Sequence, residues 1–165
     1  MKVLAATSNE GKLVELRRML AAAGVEVVGL RDLIVPAADV EEDQDALEGN
    51  ATKKARTLAL HSGLCTIGDD SGLEVDALGG APGVHSARYS GGGPTANVDK
   101  LLRELEGVPD ARRTARFRCV IALVDPRTPD EVMLFSGTCE GAVIRERRGT
   151  GGFGYDPVLV PRGET

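Results

Sequence analysis

Thr66-Ile67-Gly68-Asp69-Asp70-Ser71-Gly72 is the stretch of this chain best equipped for chemistry. A short apolar run, Leu64 to Ile67, leads straight into two adjacent carboxylates, a hydroxyl and a glycine. A strand ending in such a turn delivers its polar groups to the rim of a sheet, where open α/β folds hold their ligands. Two neighbouring aspartates repel each other, so solvent, a basic side chain or a divalent cation must offset that cost. The same residues also make an ordinary solvated turn for backbone reasons alone.

Three further stretches bear on the choice. Thr7-Ser8-Asn9-Glu10-Gly11-Lys12 lies between an apolar run and a helical pattern, with Ser8 or Asn9 as N-cap. Unpaired N–H groups at a helix start favour an anion, and Lys12 adds a full positive charge. It is not a Walker A loop, because Leu13 follows Lys12 and the earlier glycine is absent. An ordinary solvated lysine explains Lys12 equally well. Glu41-Glu42-Asp43-Gln44-Asp45 is an acidic cluster before a second helix, where the dipole favours carboxylates and where one of them can serve a metal opposite Asp70. Gly149 to Pro157 sets four glycines around Phe153 and Tyr155, letting backbone approach a flat ligand beneath an aromatic face. A hairpin loop whose aromatics tuck onto the core is the competing explanation. Arg88 suits phosphate oxygens, whereas His85 reads as packed or solvated rather than as a base.

Regular elements must position these groups. Val3–Ala6 reads as a buried strand, followed by a helix with Leu13, Leu16 and Leu20 that Gly24 stops. Val25–Leu30 suggests a second strand, and Ala46 to Ser62 a helix closed by Gly63. Beyond the aspartates, Leu73–Leu78 alternates as a strand, Gly79–Gly83 forms a tight loop, and Thr95–Glu106 is a third helix. Phe117–Val124 and Glu131–Cys139 flank a hairpin loop, with Gly141–Arg147 and Val158–Val160 as further strands. The order is that of a mixed α/β fold.

With 165 residues and 42% hydrophobic content, one domain with one sizeable core is expected. A formal net charge of -5 argues against binding a nucleic-acid backbone. No apolar run is long enough to span a membrane, and the N-terminal run is too short for a secretory signal, so a cytoplasmic protein is expected. Cys65, Cys119 and Cys139 sit in apolar runs and read as buried thiols. Two histidines make a transition-metal centre a poor fit, so any metal should be a hard cation on carboxylates. Together the motifs supply an anion loop, paired carboxylates, an arginine and an aromatic platform. These are the parts of a site for phosphate-ester hydrolysis, with an aspartate that can deprotonate a water.

The chain resembles the inosine triphosphate pyrophosphatase family over essentially its whole length. The resemblance is carried by Ala6–Lys12, Asp69–Leu73, Gly79–Gly83, Ser86–Gly91 and Gly149–Pro157, in that order. It implies a long mixed twisted sheet flanked by helices, two lobes with a cleft between them, and a homodimer. It further implies Mg²⁺-dependent hydrolysis of the deaminated purine nucleotides ITP, dITP and XTP to the monophosphate and pyrophosphate, which cleanses the nucleotide pool. By position, Asp70 corresponds to the proton acceptor and a metal ligand, with Glu41 as the second ligand. Thr7, Ser8, Asn9, Glu10, Gly11 and Lys12 correspond to the phosphate loop, supported by Lys54 and Ser71. Phe153, Gly154, Tyr155 and Asp156 correspond to the base-holding loop, while Asp69, Glu42 and Arg88 fall to supporting roles. Two departures stand out. Gly49 replaces an acidic residue before Asn50, which should loosen the helix start by about 1 kcal/mol relative to Ala. The family also continues with a lysine and a Ser-His-Arg segment that grip the purine, and residues 1–165 contain neither. A modified-pyrimidine preference, or nucleotide binding without turnover, are the alternatives.

Overall fold

Alternation along the first strand organises the N-terminal part of the molecule. In β1 (Lys2–Ala5), Ala5 packs with Leu13 and Val27, whereas Leu4 packs with Ala6 and Leu58. A strand sends successive side chains to opposite faces, so this pattern requires cover on both. Helix α1 (Glu10–Ala21) supplies Leu13 on one face, and α2 (Leu47–Ser62) supplies Leu58 on the other. The computed structural model describes residues 1–36 and 39–164; Ala37, Ala38 and Thr165 lie outside it.

The remaining strands are β2 (Glu26–Val28), β3 (Cys65–Val75), β4 (Thr114–Val124), β5 (Val132–Val143) and β6 (Leu159–Pro161). They form one mixed six-stranded sheet in the order β2-β1-β3-β4-β5-β6. β1 runs parallel to β2 and β3, with Val3 opposite Cys65 and Ala5 opposite Ile67, and β5 pairs antiparallel with β6. The chain divides into two compact units, residues 1–70 with 120–136 and residues 71–119 with 137–165. The core of the second unit gathers Leu73, Val75, Ala115, Val143, Tyr155 and Val158 around Val98 and Leu101 of α3 (Pro94–Glu104) and its C-cap Leu105. Leu73, Leu101 and Leu105 are fully buried, and each such side chain contributes about 2 kcal/mol by leaving water.

The expected helix stops are present. Gly24 takes φ +69° after α1, and Gly63 takes φ +68° after α2 while its N–H donates to Ala59 O.

The largest departure concerns the two aspartates, which do not lie in a turn. β3 runs unbroken through Asp69, Asp70 and Ser71 to Val75. Gly72 reads as the end of a turn, yet here it and Gly68 admit neighbouring backbone. A Cβ on Gly68 would overlap Ala51 O and stand 2.7 Å from Ala55 N, and a Cβ on Gly72 would overlap Gly83 O. Other differences are smaller. The strand expected to reach Leu78 ends at Val75 and gives way to a 3₁₀ turn, Asp76–Leu78. The second strand stops at Val28, followed by a 3₁₀ turn over Leu30–Asp32. Gly141–Val143 continues β5 instead of forming a separate strand. Against expectation, none of the three cysteines is fully buried, and Cys139 is exposed. Most of β5 is exposed on both faces, so an apolar run there does not translate into burial.

Substituting Gly68→Ala should destabilise the protein by about 2–3 kcal/mol, because the added methyl meets helix backbone that cannot yield. Urea denaturation followed by circular dichroism measures this, and a change below about 0.5 kcal/mol would show that β3 and α2 separate easily.

Candidate active site

Pleating of β3 resolves the repulsion between Asp69 and Asp70 by sending their carboxylates to opposite faces. Asp69 forms an ion pair with Lys12 of α1. Asp70 accepts a hydrogen bond from Asn50 Nδ2 of α2 at 2.9 Å. Each carboxylate is only 5% exposed, so both sit where a charge must be compensated by design rather than by solvent. Asn50 is itself fully buried and is oriented by Gln44, whose backbone N–H donates to Asn50 Oδ1 at 3.0 Å.

The acidic cluster folds back along α2 instead of simply resting on its first turn. Lys54 Nζ meets Glu42 Oε1 at 2.6 Å, and Lys53 Nζ meets Asp43 Oδ1 at 2.8 Å. The Lys53 ammonium, joined by the Gln44 amide, holds the Asp43 carboxyl below its ordinary value. Gly49 acquires a reason here, since a Cβ at that position would stand 2.8 Å from Gln44 Cβ. Glycine in the first turn therefore lets Gln44 reach back to Asn50. Of the two glutamates, Glu41 is exposed, whereas Glu42 is half-buried and engaged with Lys54.

The loop before α1 is built by short polar contacts. Asn9 is the N-cap, accepting from Lys12 N at 3.2 Å, and Thr7 Oγ1 accepts from Asn9 N at 3.2 Å. That capping leaves the amides of Glu10 and Gly11 in the first turn, where no intrahelical acceptor exists. Ser8 is exposed, and Glu10 is drawn aside by an ion pair with Arg31 at 2.8 Å.

In the second unit, Ser71 is half-buried on β3. The glycine-rich loop divides the roles of its aromatics. Tyr155 is 5% exposed, belongs to the core and donates from Oη to Ser86 O at 2.9 Å. Phe153 stays half-buried, so it alone keeps an accessible ring. Asp156 fastens the loop by accepting from Phe153 N at 2.8 Å; it fills the space a Cβ on Gly152 would need. Arg88 and His85 are exposed.

The sequence matches the Ham1 family over residues 3–165. It is 50% identical over 162 residues to a dITP/XTP pyrophosphatase of Desulforamulus reducens, covering 96% of this chain and 79% of that protein. A dITP/XTP pyrophosphatase of Methylococcus capsulatus is 48% identical over 165 residues, covering 97% and 80%. Among solved structures, a nucleoside-triphosphatase / dITP/XTP pyrophosphatase from Mycobacterium abscessus superposes with a TM-score of 0.80 at 45% identity, covering 99% of this chain and 85% of that one. A HAM1 protein from Coxiella burnetii superposes with a TM-score of 0.83 at 37% identity, covering 96% and 81%. The chain belongs to the Ham1 family.

Against that Ham1 background, the elements gather Lys12 with Asp69, Asn50 with Asp70, and Lys54 with Glu42. Asn50, which holds the candidate residue Asp70, carries no motif signal. Its signal lies in the periodicity of α2, where Leu47, Ala51, Ala55 and Leu58 make the buried stripe and Asn50 and Lys54 interrupt it four residues apart. Polar side chains on an apolar stripe need partners, and here those partners are Asp70 and Glu42. Among the described residues, no three His, Cys, Asp or Glu side chains cluster as a metal cage. No described helix is long and apolar enough to cross a membrane.

Removing the Lys12 ammonium leaves the buried Asp69 carboxylate without its ion-pair partner. Lys12→Met should cost about 2–4 kcal/mol in denaturant unfolding, and Lys12→Met with Asp69→Asn should recover most of it. Equal losses in the single and double variants would show that the pair is energetically idle. A second expectation concerns the two tyrosines. Burial raises the Tyr155 phenol from 10.0 to about 12. Burial and its hydrogen bond to Glu104 raise Tyr89 as well. Because these folded-state values exceed the unfolded ones, the stabilisation is complete below pH 10 and is lost as pH rises toward 12. Absorbance of tyrosinate should therefore stay flat through about pH 10.5 in the folded protein and rise only with unfolding.

Proposed function

We propose that this chain is a dITP/XTP pyrophosphatase that also accepts ITP, hydrolysing each to the nucleoside monophosphate and pyrophosphate. The observation that carries the proposal is Asp70: a buried carboxylate aimed by the Asn50 amide, next in sequence to Asp69, whose charge Lys12 neutralises. Relatives that the chain matches at 50% and 48% identity are dITP/XTP pyrophosphatases, which supports the substrate class. In the proposed reaction a water forms a new P–O bond, Asp70 takes its proton, and the α–β bridging P–O bond breaks as pyrophosphate leaves.

Thr7 to Lys12 receive phosphate oxygens, through the first-turn amides of α1 and the Lys12 ammonium. Lys54 and Ser71 add a second cation and a hydroxyl. Phe153 offers the purine an aromatic face, Gly154 admits it closely, and Tyr155 and Asp156 hold that loop in shape. Both lysines are already paired with carboxylates, so a triphosphate brings more negative charge into a region where acids outnumber ammonium groups.

The donor chemistry fits Mg²⁺. Asp70 with Glu41 supplies hard carboxylate oxygens, and this cation is usually held by one or two carboxylates together with substrate phosphates and water. Bound there, it would neutralise phosphate charge. The long twisted sheet with two lobes and a cleft and the homodimer that the resemblance implies belong to this proposal, as do the single domain expected from length and composition and the cytoplasmic setting. Exposed Met133, Leu134 and Phe135 on β5 support self-association.

Asp70→Asn keeps shape and the Asn50 contact region but removes the base. Pyrophosphate release from dITP or XTP with Mg²⁺ should fall by about 10²–10⁴-fold, with an unchanged circular dichroism spectrum. Retained activity would refute the assignment of Asp70. A wild-type preference for dUTP over dITP would favour a pyrimidine enzyme, and tight dITP binding without pyrophosphate would mark a binding module.

A further inference from the structure

Asn97 on α3 is 3% exposed and uses its full hydrogen-bonding capacity. Its Nδ2 donates to Ser86 O at 3.1 Å and Ala87 O at 3.0 Å. Its Oδ1 accepts from Ser90 N at 2.7 Å and Ser90 Oγ at 2.6 Å. The whole Ser86–Ser90 segment is thus clamped by one side chain. Ser86, 4% exposed, extends the connection in two directions. Its Oγ accepts from Leu73 N on β3 at 2.8 Å and donates to Gly83 O at 2.6 Å. Its carbonyl accepts a second hydrogen bond, from Tyr155 Oη at 2.9 Å.

We infer that Asn97 and Ser86 are positioning residues that set where the Phe153–Asp156 loop stands relative to Ser71 on β3. Resting on the pyrophosphatase proposal, this names what fixes the base-holding loop. The loop itself is poor in anchors. Gly149, Gly151, Gly152 and Gly154 bring no side chains, and the Asp156 carboxylate binds the loop's own Phe153 N–H. Tyr155 is the residue that reaches the core, and its hydroxyl ends on Ser86. Ser86 in turn is bonded to Leu73, two residues beyond Ser71. No slack exists at that junction, because Gly72 already lies so close to Gly83 O that a Cβ would not fit. A purine lying on Phe153 would therefore be registered against β3 through Tyr155, Ser86 and Asn97. None of these three side chains needs to touch it.

Tyr155→Phe removes only the hydroxyl, and Ser86 O keeps its bond from Asn97, so the fold should survive with a thermal midpoint close to wild type. For dITP hydrolysis, KM should rise about tenfold with a much smaller fall in kcat, as expected when one positioning hydrogen bond is lost. Preference for dITP over dGTP should narrow. Asn97→Ala should raise KM similarly, and the double variant should add little more, since both variants loosen the hold on Ser86 O. Unchanged KM and base preference in Tyr155→Phe would overturn the inference, as would full additivity in the double variant. Wild-type protein that fails to release pyrophosphate would instead refute the pyrophosphatase proposal, and the inference with it.

Discussion

The close approach of β3 to α2 at Gly68 is the constraint on which the candidate site depends. With no side chain at that position, the strand backbone lies against the Ala51 and Ala55 turns of the helix. Only at that separation does Asn50, one residue before Ala51, reach Asp70, two residues after Gly68 on the same face of the strand. The small residues are therefore not filler. They set the distance over which a short amide side chain holds a buried carboxylate at 2.9 Å.

The same strand solves an electrostatic problem. Adjacent carboxylates in a turn would share one solvent region and repel; in a strand they diverge by geometry alone. Asp69 finds an ammonium from α1, while Asp70 is steered by an uncharged amide from α2. Two identical side chains, neighbours in sequence, thereby receive different environments. The proposed division, a supporting role for Asp69 and an acid–base role for Asp70, rests on that divergence. The lysine that reaches the buried side of α2, Lys54, follows the same logic, since a nearly buried ammonium demands the Glu42 carboxylate at 2.6 Å.

In the second unit, polar groups are equally economical. Arg113, 2% exposed, donates to the carbonyls of Leu105, Val143 and Ile144, closing the end of α3 against β5. Asn97 and Ser86 perform the corresponding task for the segment after Gly83 and for the glycine-rich loop. Buried polar atoms with every partner satisfied rigidify the backbone they bond, which suits loops that carry few apolar anchors of their own.

Much of this was legible from residue types alone. Helix limits followed from Asn9, Gly24 and Gly63, because caps and left-handed glycines act within a few residues. The mixed α/β class followed from local periodicity, and the candidate phosphate loop and aspartates from residue type and order. What local rules could not show is where a glycine spends its freedom. Gly72 reads as the end of an Asp-Asp-Ser-Gly turn, yet it and Gly68 serve contact with segments 11 and 13 to 17 residues away in sequence, at Gly83 and at Ala51 and Ala55. The division between Phe153 and Tyr155 was likewise closed to sequence reasoning, since either ring could have been buried. Sequence determined the elements and the inventory of reactive groups, because propensity, capping and charge are properties of near neighbours. Tertiary structure alone decided that Asp69 and Asp70 lie within a strand and face different helices, because only packing against Ala51 and Ala55 sets that path.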